Sequence, residues 1–281
     1  MMRNDMFLIT PMNQKVYLNR GEEYRGSIRV VNPAEATRDF HYRVDVAPYG
    51  VVGEGYDADL TSESQWTQIV DWITIENNEG VLAPNEVRDV EFVIKVPEDA
   101  IVGAQTAALV VRQEDDEKAI DGVKVENVFE MASIIYGQVL GIEEHDASIL
   151  AMDVPGFSTT PDVAVTASFD NHGNVFEEAE TKIVVKNALS GEVILPTSEA
   201  SGEYTEIVMP DTTRKVTRKI DDLPMLGVVH VEYQVKYNGE EMMMERDLVI
   251  CPIWFMVMMA VVVGMIITTI VMLIKKYHKK A

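Results

Sequence analysis

The residues best suited to acid–base chemistry or metal binding do not form a recognisable group in this sequence. The histidines are His41, His145, His172, His230 and His278. No two of them have the i, i+4 spacing that places two metal ligands on one face of a helix. The sequence also contains no phosphate-binding loop, no dinucleotide fingerprint and no Gly-x-Ser-x-Gly elbow. We therefore predict that the chain is not an enzyme and holds no metal ion and no cofactor.

Acidic residues offer weaker candidate sites. The charged run Glu114–Glu117 and the pair Asp57 and Asp59 could bind calcium, but neither matches the EF-hand loop. Solvated surface loops are the interpretation we favour, because acidic side chains are mostly exposed. An extracellular carboxylate-based hydrolase centred on Asp71 is a further alternative, but acidic residues are so abundant here that no particular pair stands out.

Two tryptophans and an aspartate lie close together in the sequence. Trp66 and Trp72 fall within seven residues of each other, and Asp71 precedes the second. Exposed aromatic rings stack on sugars and anchor protein partners, so Trp66, Asp71 and Trp72 form the candidate ligand-binding group. In the alternative interpretation, Trp72 lies in the core and Trp66 covers a loop. We favour the alternative for Trp72 and leave both open for Trp66.

The segments on either side of these residues have the pattern of β-strands. Phe40–Ala47 alternates between apolar and polar residues, as a half-buried antiparallel strand does. Other strand-like runs are Gln14–Leu18, Tyr24–Val31, Val87–Val96, Thr106–Arg112 and Ser133–Val139. Residues 48–65 are predicted to be a loop, and Gln68–Ile75 a strand or a short helix that turns into one.

Turn signals separate these strands. The segments Leu18–Glu22 (LNRGE) and Leu82–Glu86 (LAPNE) resemble each other, and each precedes a strand that stops at a proline. Gly21 in the first segment can adopt the positive φ of a turn. Further along the chain, Asn238 and Gly239 predict a type I′ hairpin between two alternating runs.

A second set of strands follows the linker-like residues 141–146. Its members are Val163–Phe169, Thr181–Lys186, Val193–Leu195, Tyr204–Met209, Thr213–Ile220, Val228–Tyr237 and Met242–Ile250. Short strands separated by Pro, Gly and Asn turns are typical of antiparallel sandwiches. We predict a mainly β chain with two tandem immunoglobulin-like (Ig-like) antiparallel β-sandwiches, residues 1–142 and 147–249, followed by one C-terminal transmembrane α-helix, residues 250–274.

The C-terminal segment Ile253–Ile274 contains no charged or amide side chain. As a helix it would be roughly 33 Å long, which matches the hydrocarbon thickness of a bilayer. Trp254 lies at its start, where interfacial aromatic residues are common, and Lys275 and Lys276 follow its end. We predict a membrane anchor that begins at Ile253 and Trp254 and ends at Ile274, Lys275 and Lys276.

The basic tail, residues 275–281, predicts a cytoplasmic C-terminus and extracellular N-terminal domains. That orientation requires a signal peptide, and the first residues have no apolar core of the required length. We expect that the signal peptide is missing from this sequence. The alternative is a tail-anchored protein whose bulk lies in the cytoplasm.

Composition narrows the possible partners. The formal net charge of -22 argues against nucleic acid and anionic membrane surfaces as partners. The single cysteine, Cys251, permits no intrachain disulfide, which is unusual for an animal ectodomain and points to a bacterial surface. The expected lipid contact is therefore the bilayer around the helix.

Several short motifs resemble a known family. They are Pro11–Gln14 (PMNQ), Gly21-Glu22-x-Tyr24, Val30–Pro33 (VVNP), Leu82–Asn85 (LAPN) and Val96–Ala100 (VPEDA) with Gly103. Over roughly residues 7–140 they are similar to the N-terminal domain of the WxL-interacting proteins of Gram-positive cell walls. The resemblance implies peptidoglycan binding by the first domain, surface-protein binding by the second and no catalysis. It supplies no residue-level binding motif.

We expect a single-pass bacterial cell-surface protein that binds or scaffolds peptidoglycan or other surface proteins through its sandwiches. A membrane-tethered, chaperone-like assembly factor that uses an exposed edge strand is the main alternative, because such edges accept added strands. The extracellular hydrolase is the remaining alternative.

Overall fold

The computed structural model describes residues 6–53, 55–114, 119–120, 123–124, 129–196 and 203–278. Contacts between Cα atoms divide the chain into two units. The first unit comprises Met1–Ala147, Asn171–Phe176 and Met209–Thr212, and the second comprises Ser148–Asp170, Glu177–Val208 and Thr213–Ala281. Each unit is built on a β-sandwich, and the second also contains the C-terminal helix. The predicted fold class is therefore confirmed.

The first sandwich consists of a four-stranded and a five-stranded sheet. The strands before residue 147 are β1 (Leu8–Thr10), β2 (Asn13–Leu18), β3 (Glu23–Val31), β4 (Phe40–Pro48), β5 (Gly50–Val52), β6 (Asp57–Asp59), β7 (Ile73–Ile75), β8 (Glu79–Leu82), β9 (Val87–Lys95), β10 (Gly103–Gln113), β11 (Ala119–Ile120), β12 (Val123–Lys124) and β13 (Glu130–Val139). The sheet orders are β1-β3-β9-β7 and β2-β13-β10-β4-β8, with β5-β6 and β11-β12 as separate pairs. A 3₁₀ helix, Gln68–Trp72, precedes β7.

Alternation in the sequence explains how the first core forms. In β4 the residues Phe40, Tyr42 and Val44 are buried while the residues between them are exposed. They meet residues of the opposite sheet such as Ile28 and Phe92 in one apolar cluster. Each fully buried side chain of this size contributes roughly 1.5–3 kcal/mol. This burial fixes which face of each strand points inward.

The two similar turns predicted before β3 and β9 have the same local structure. Gly21 and Asn85 both adopt positive φ, at 73° and 69°. The N–H of Glu22 donates to the carbonyl oxygen of Asn19 at 3.3 Å. The N–H of Glu86 donates in the same way to that of Ala83, at 2.9 Å. The sequence repeat thus corresponds to a repeated turn.

The second sandwich consists of a three-stranded sheet and a larger mixed sheet. Its strands are β14 (Ala147–Asp153), β15 (Phe157–Ser158), β16 (Val163–Asn171), β17 (Glu177–Asn187), β18 (Val193–Leu195), β19 (Glu203–Val208), β20 (Thr212–Ile220), β21 (Gly227–Tyr237) and β22 (Glu240–Ile250). The sheet orders are β14-β16-β20 and β15-β22-β21-β17-β18, and β19 also pairs with β17. Alternate residues of β16 and β21 meet in its apolar core.

Three features differ from the sequence-based expectation. Two strand pairs, β2 with β13 and β15 with β22, are parallel rather than antiparallel. Residues 48–65, predicted to be a loop, contain the β5–β6 hairpin. The parallel pairs join segments far apart in the sequence, so no local pattern indicates them. The charged run Glu114–Glu117, a candidate calcium site or solvated loop, falls mostly outside the described residues, and so do Lys279 and Lys280 of the predicted tail.

A single long helix, α1 (Ile253–His278), follows β22. Residues Ile253–Lys276 are long and apolar enough to cross a membrane, and they are exposed in the structure. The hydroxyls of Thr268 and Thr269 donate to the carbonyl oxygens of Gly264 and Met265, at 2.7 and 2.8 Å. Their polar groups are thereby satisfied within the helix, as a lipid environment requires.

Candidate partner-binding edge

Strand β22 forms the long hairpin that leads into the helix. It pairs with β21 in an unbroken antiparallel register from Gly227 opposite Ile250 to Tyr237 opposite Glu240. Asn238 and Gly239 connect the two strands and adopt φ values of 44° and 78°. Both central residues therefore have the positive φ of a type I′ turn, which confirms the predicted hairpin.

The outer side of β22, away from β21, is an edge of the sheet over most of its length. Among the strands that the structure describes, only β15 pairs there, and it covers Val249 and Ile250. The N–H groups of Val249 and Cys251 donate outward to the carbonyl oxygens of Gly156 and Ser158, at 3.1 and 2.9 Å. These bonds show which residues of β22 direct their main-chain groups outward.

Main-chain groups of successive strand residues alternate between the two sides of the strand. Because Val249 points outward and the register has no bulge, the residues two, four, six and eight positions before it point outward as well. They are Asp247, Glu245, Met243 and Glu241. We call the segment Glu241–Asp247, with these four outward main-chain positions, the free edge.

The side chains of the free edge fall into two sets. Those of the four outward positions lie on the solvent face, and Met243 is 54% exposed. On the opposite face, Met244 packs against the second core, whose last members on this strand are Leu248 and Ile250. The side chain of Arg246 lies on the same face of the strand as Met244 and Leu248, but it is exposed. The edge thus combines adaptable methionines with charged residues.

Charges on the solvent face are mostly paired along the sheet. Lys186 forms an ion pair with Glu232, and His230 contacts Asp247. Lys236 Nζ lies 3.8 Å from Glu241 Oε1.

Glu245 is the exception among the acidic residues of the free edge. It lies directly opposite Glu232 in the register. Within the described residues, the Glu245 carboxylate has no hydrogen bond or ion pair. Like charges directly opposite each other in a sheet are unfavourable.

Only Cys251 and Pro252 separate β22 from α1. The carbonyl oxygen of Pro252 accepts the N–H of Phe255 at 3.0 Å, so helical bonding begins at once. From Asp247 to Ile253 the chain can extend at most roughly 20 Å. If the helix spans a membrane, the free edge is confined to the space near the membrane surface.

The structure does not bring the predicted ligand-binding residues together on one exposed face. Trp72 ends the 3₁₀ helix, is 9% exposed and belongs to the first core. Trp66 is half-buried, and its Nε1–H donates to Asp211 Oδ2 at 2.8 Å within the first unit. Asp71 is exposed. The position of Trp72 agrees with the alternative interpretation, and ligand binding by Trp66 and Asp71 stays a prediction.

The described residues among those considered for metal binding do not form a ligand set. In the described part of the chain, no group of three or more His, Cys, Asp or Glu side chains could hold a metal ion. Asp59 instead accepts hydrogen bonds from the hydroxyl and N–H of Thr61, at 2.7 and 2.9 Å. These two bonds lower the pKa of Asp59. The Asp59 carboxylate therefore stabilises the local backbone conformation at Thr61.

Comparison with known proteins supplies no family for this chain. Neither a protein-family model nor a curated protein matches it. Among solved structures it is similar to the Salmonella enterica SafA pilin in complex with the SafB chaperone, with 11% identity, 89% of this chain and 99% of that chain covered, and a TM-score of 0.41.

Two further solved structures have the same level of similarity. One is the CsuC–CsuE chaperone–tip adhesion subunit complex of Acinetobacter baumannii, with 12% identity, 85% and 97% coverage and a TM-score of 0.41. The other is the class 5 fimbriae chaperone CfaA, with 10% identity, 86% and 99% coverage and a TM-score of 0.41. At this level of similarity we draw no conclusion about function from these proteins. The resemblance to WxL-interacting proteins also stays a prediction.

Sequence reasoning located β22 but missed the free edge. Local sequence patterns predict the strand at Met242–Ile250 and the turn at Asn238 and Gly239. Strand order instead depends on contacts between distant segments. One available signal was the density of charge, because Glu241, Glu245 and Asp247 occupy alternate positions of a single strand. Charged residues at this spacing are typical of exposed edge strands.

Proposed function

We propose that this chain is a membrane-tethered, non-enzymatic binding protein that captures an extended segment of another protein as an added strand on the free edge. The observation that carries the proposal is the row of outward main-chain groups at Glu241, Met243, Glu245 and Asp247. Such groups can bond to an incoming strand without any change in the sheet. A chaperone-like assembly factor or a scaffold would work in this way.

The length and side chains of the free edge suit this activity. Seven residues of strand extend roughly 23 Å, which is enough for several main-chain bonds to a partner. In strand addition, main-chain bonds supply affinity and alternate side chains supply specificity. Met243 and Met244 can adapt their side chains to different partners. Neither a proline nor a described strand blocks the edge between Glu241 and Asp247.

Charged residues on the edge are also a known protection against aggregation. Arg246, which shares the phase of buried residues, fits that role. Protection and capture are compatible, because charges that repel another copy of the chain can still accept a complementary partner. An experiment must therefore distinguish an edge whose charges only prevent aggregation from an edge that also binds a partner strand.

The decisive variant is Met243→Pro. The N–H of Met243 points outward, so proline removes an outward donor and leaves the bonds to β21 in place. Prolines are tolerated on edge strands when their missing N–H faces solvent. Met243→Ala is the matched control, because it shortens the side chain but keeps the donor.

Random nonapeptides displayed on phage would be selected on the full chain in lipid nanodiscs. We expect the selected peptides to bind wild type and Met243→Ala similarly and Met243→Pro at least tenfold more weakly. Amide hydrogen exchange should show new protection at Glu241, Met243, Glu245 and Asp247 when peptide is bound. Equal binding to wild type and Met243→Pro, or no new protection at these amides, would refute the proposal.

A further inference from the structure

The Glu245 carboxylate, which has no partner among the described residues, bears on the kind of strand that the free edge could accept. This inference rests on the proposed function, because it concerns the partner of the same edge. Glu241 has Lys236 at 3.8 Å, and Asp247 contacts His230. Glu245 has no such partner among the described residues and faces Glu232.

Lys186 cannot neutralise the carboxylates of Glu232 and Glu245 equally. It lies on β17, two strands away from β22, and its Nζ pairs with Glu232. Glu232 is 5% exposed, whereas Glu245 is exposed at the edge. The position directly opposite Glu245 on an added strand is therefore the nearest place from which a positive charge could reach it.

We infer that the free edge selects a strand with lysine or arginine opposite Glu245 and apolar residues opposite Met243 and Met244. A positive charge there would be attracted to the facing carboxylates of Glu245 and Glu232. Opposite charges on neighbouring strands are favourable. The apolar residue opposite Met244 would extend the surface that Met244 already forms against the core, and the one opposite Met243 would cover its exposed side chain. The partner is thus a segment of another protein that combines one basic residue with adjacent apolar residues.

A second copy of this chain fits the free edge poorly. Antiparallel self-pairing centred on Met243 places Glu241 opposite Glu245, and centring on Met244 places Glu241 opposite Asp247. Centring on Glu245 places that residue opposite itself. Each of these registers opposes two acidic side chains, which is unfavourable. The charge pattern therefore favours a different, basic partner.

The test uses three nonapeptides whose central lysine, glutamine or glutamate has two valines on each side and threonine at the remaining positions. They are added to the full chain in lipid nanodiscs at low salt, and affinity is measured by fluorescence anisotropy. We expect the lysine peptide to bind about three- to tenfold more tightly than the glutamate peptide, from typical cross-strand pair energies. The preference should shrink as salt is added, because both charges are near the surface.

Variants of the chain assign the preference to one residue. Glu245→Gln should remove the preference, and Glu245→Lys should reverse it. Glu241→Gln is the matched control, because Glu241 already has Lys236 nearby, and it should leave most of the preference intact. A preference that survives Glu245→Gln would overturn the inference.

Two negative outcomes are distinguishable. If all three peptides bind equally and the amides of the free edge become protected from exchange, the charge inference is overturned and the proposed function stands. If no peptide binds and no outward amide becomes protected, the proposed function is overturned, together with the inference that rests on it.

Discussion

The substitution Gln105→Leu tests how the first unit holds its 3₁₀ helix. Gln105 lies on β10 and is fully buried. Its Oε1 accepts the N–H of Ile69 at 3.1 Å, and its Nε2 donates to the carbonyl oxygen of Gln65 at 2.9 Å. Leucine fills nearly the same volume but removes both bonds.

The magnitude follows from the burial of the two partners. Ile69 is fully buried, so its N–H would lose its partner without gaining water, at a cost of about 1–3 kcal/mol. Gln65 is exposed, so water can replace the bond to its carbonyl and the loss is at most about 1 kcal/mol. We expect Gln105→Leu to lower the free energy of unfolding of the first unit by roughly 1–4 kcal/mol.

Gln138→Leu is the matched control on the neighbouring strand β13. Gln138 is 9% exposed, and its buried Nε2 has no hydrogen-bond partner in the part of the chain that is described. Replacing a buried, unpaired amide with an apolar group of similar shape is nearly neutral or stabilising. The same chemical change should therefore have a large effect at residue 105 and little or none at residue 138.

Urea denaturation of the full chain in detergent, followed by tryptophan fluorescence, measures this difference. The chain has three tryptophans, of which Trp66 and Trp72 belong to the first unit and Trp254 to the helix. The midpoint should fall for Gln105→Leu and stay constant or rise for Gln138→Leu. A similar loss of stability in both variants would refute the reasoning, because it would mean that hydrogen bonding does not distinguish the two sites.

Further predictions concern packing, a turn and a buried phenol. Gly26→Ala should lower the free energy of unfolding of the first unit by about 1–3 kcal/mol in denaturation, since the new Cβ would lie 2.4 Å from Phe92 Cζ. Gly156→Ala is the control and should be neutral, because no atom lies within 4 Å of the position of its new Cβ. Gly239→Ala should cost about 1 kcal/mol by the same assay, because φ is 78° there. Burial raises the pKa of Tyr233, so stability should fall as pH rises above about 10, when the unfolded phenol ionises. Tyr233→Phe should flatten that fall in alkaline denaturation, and an unchanged slope would contradict it.

Local patterns in the sequence predicted the elements that depend on neighbouring residues. The alternation of β4, the positive φ of Gly21 and the hairpin at Asn238 and Gly239 all follow from steric preferences within a few residues. The repeated turn could also be predicted from the sequence, because Asn85 can adopt the same left-handed conformation as Gly21. These features needed no knowledge of strand order.

Features that depend on distant residues were not predictable in the same way. The parallel pairing of β2 with β13 joins segments more than 100 residues apart. The bond from Trp66 to Asp211 spans 145 residues, and nothing near Trp66 indicates it. The free edge belongs to the same class, because an edge is defined by which strands do not pair beside it. Sequence reasoning therefore identified β22 as a strand but not as a binding surface.

The short connection between β22 and α1 has a mechanical consequence. If α1 is held in a membrane, tension along the chain enters β22 from its C-terminal end and runs along the strand axis. A segment captured beside β22 and pulled away from the membrane would load the ladder in shear, so its hydrogen bonds would share the force. A sideways pull would instead break them one after another. The protein could thus withstand lengthwise traction on a bound segment and still release it by peeling.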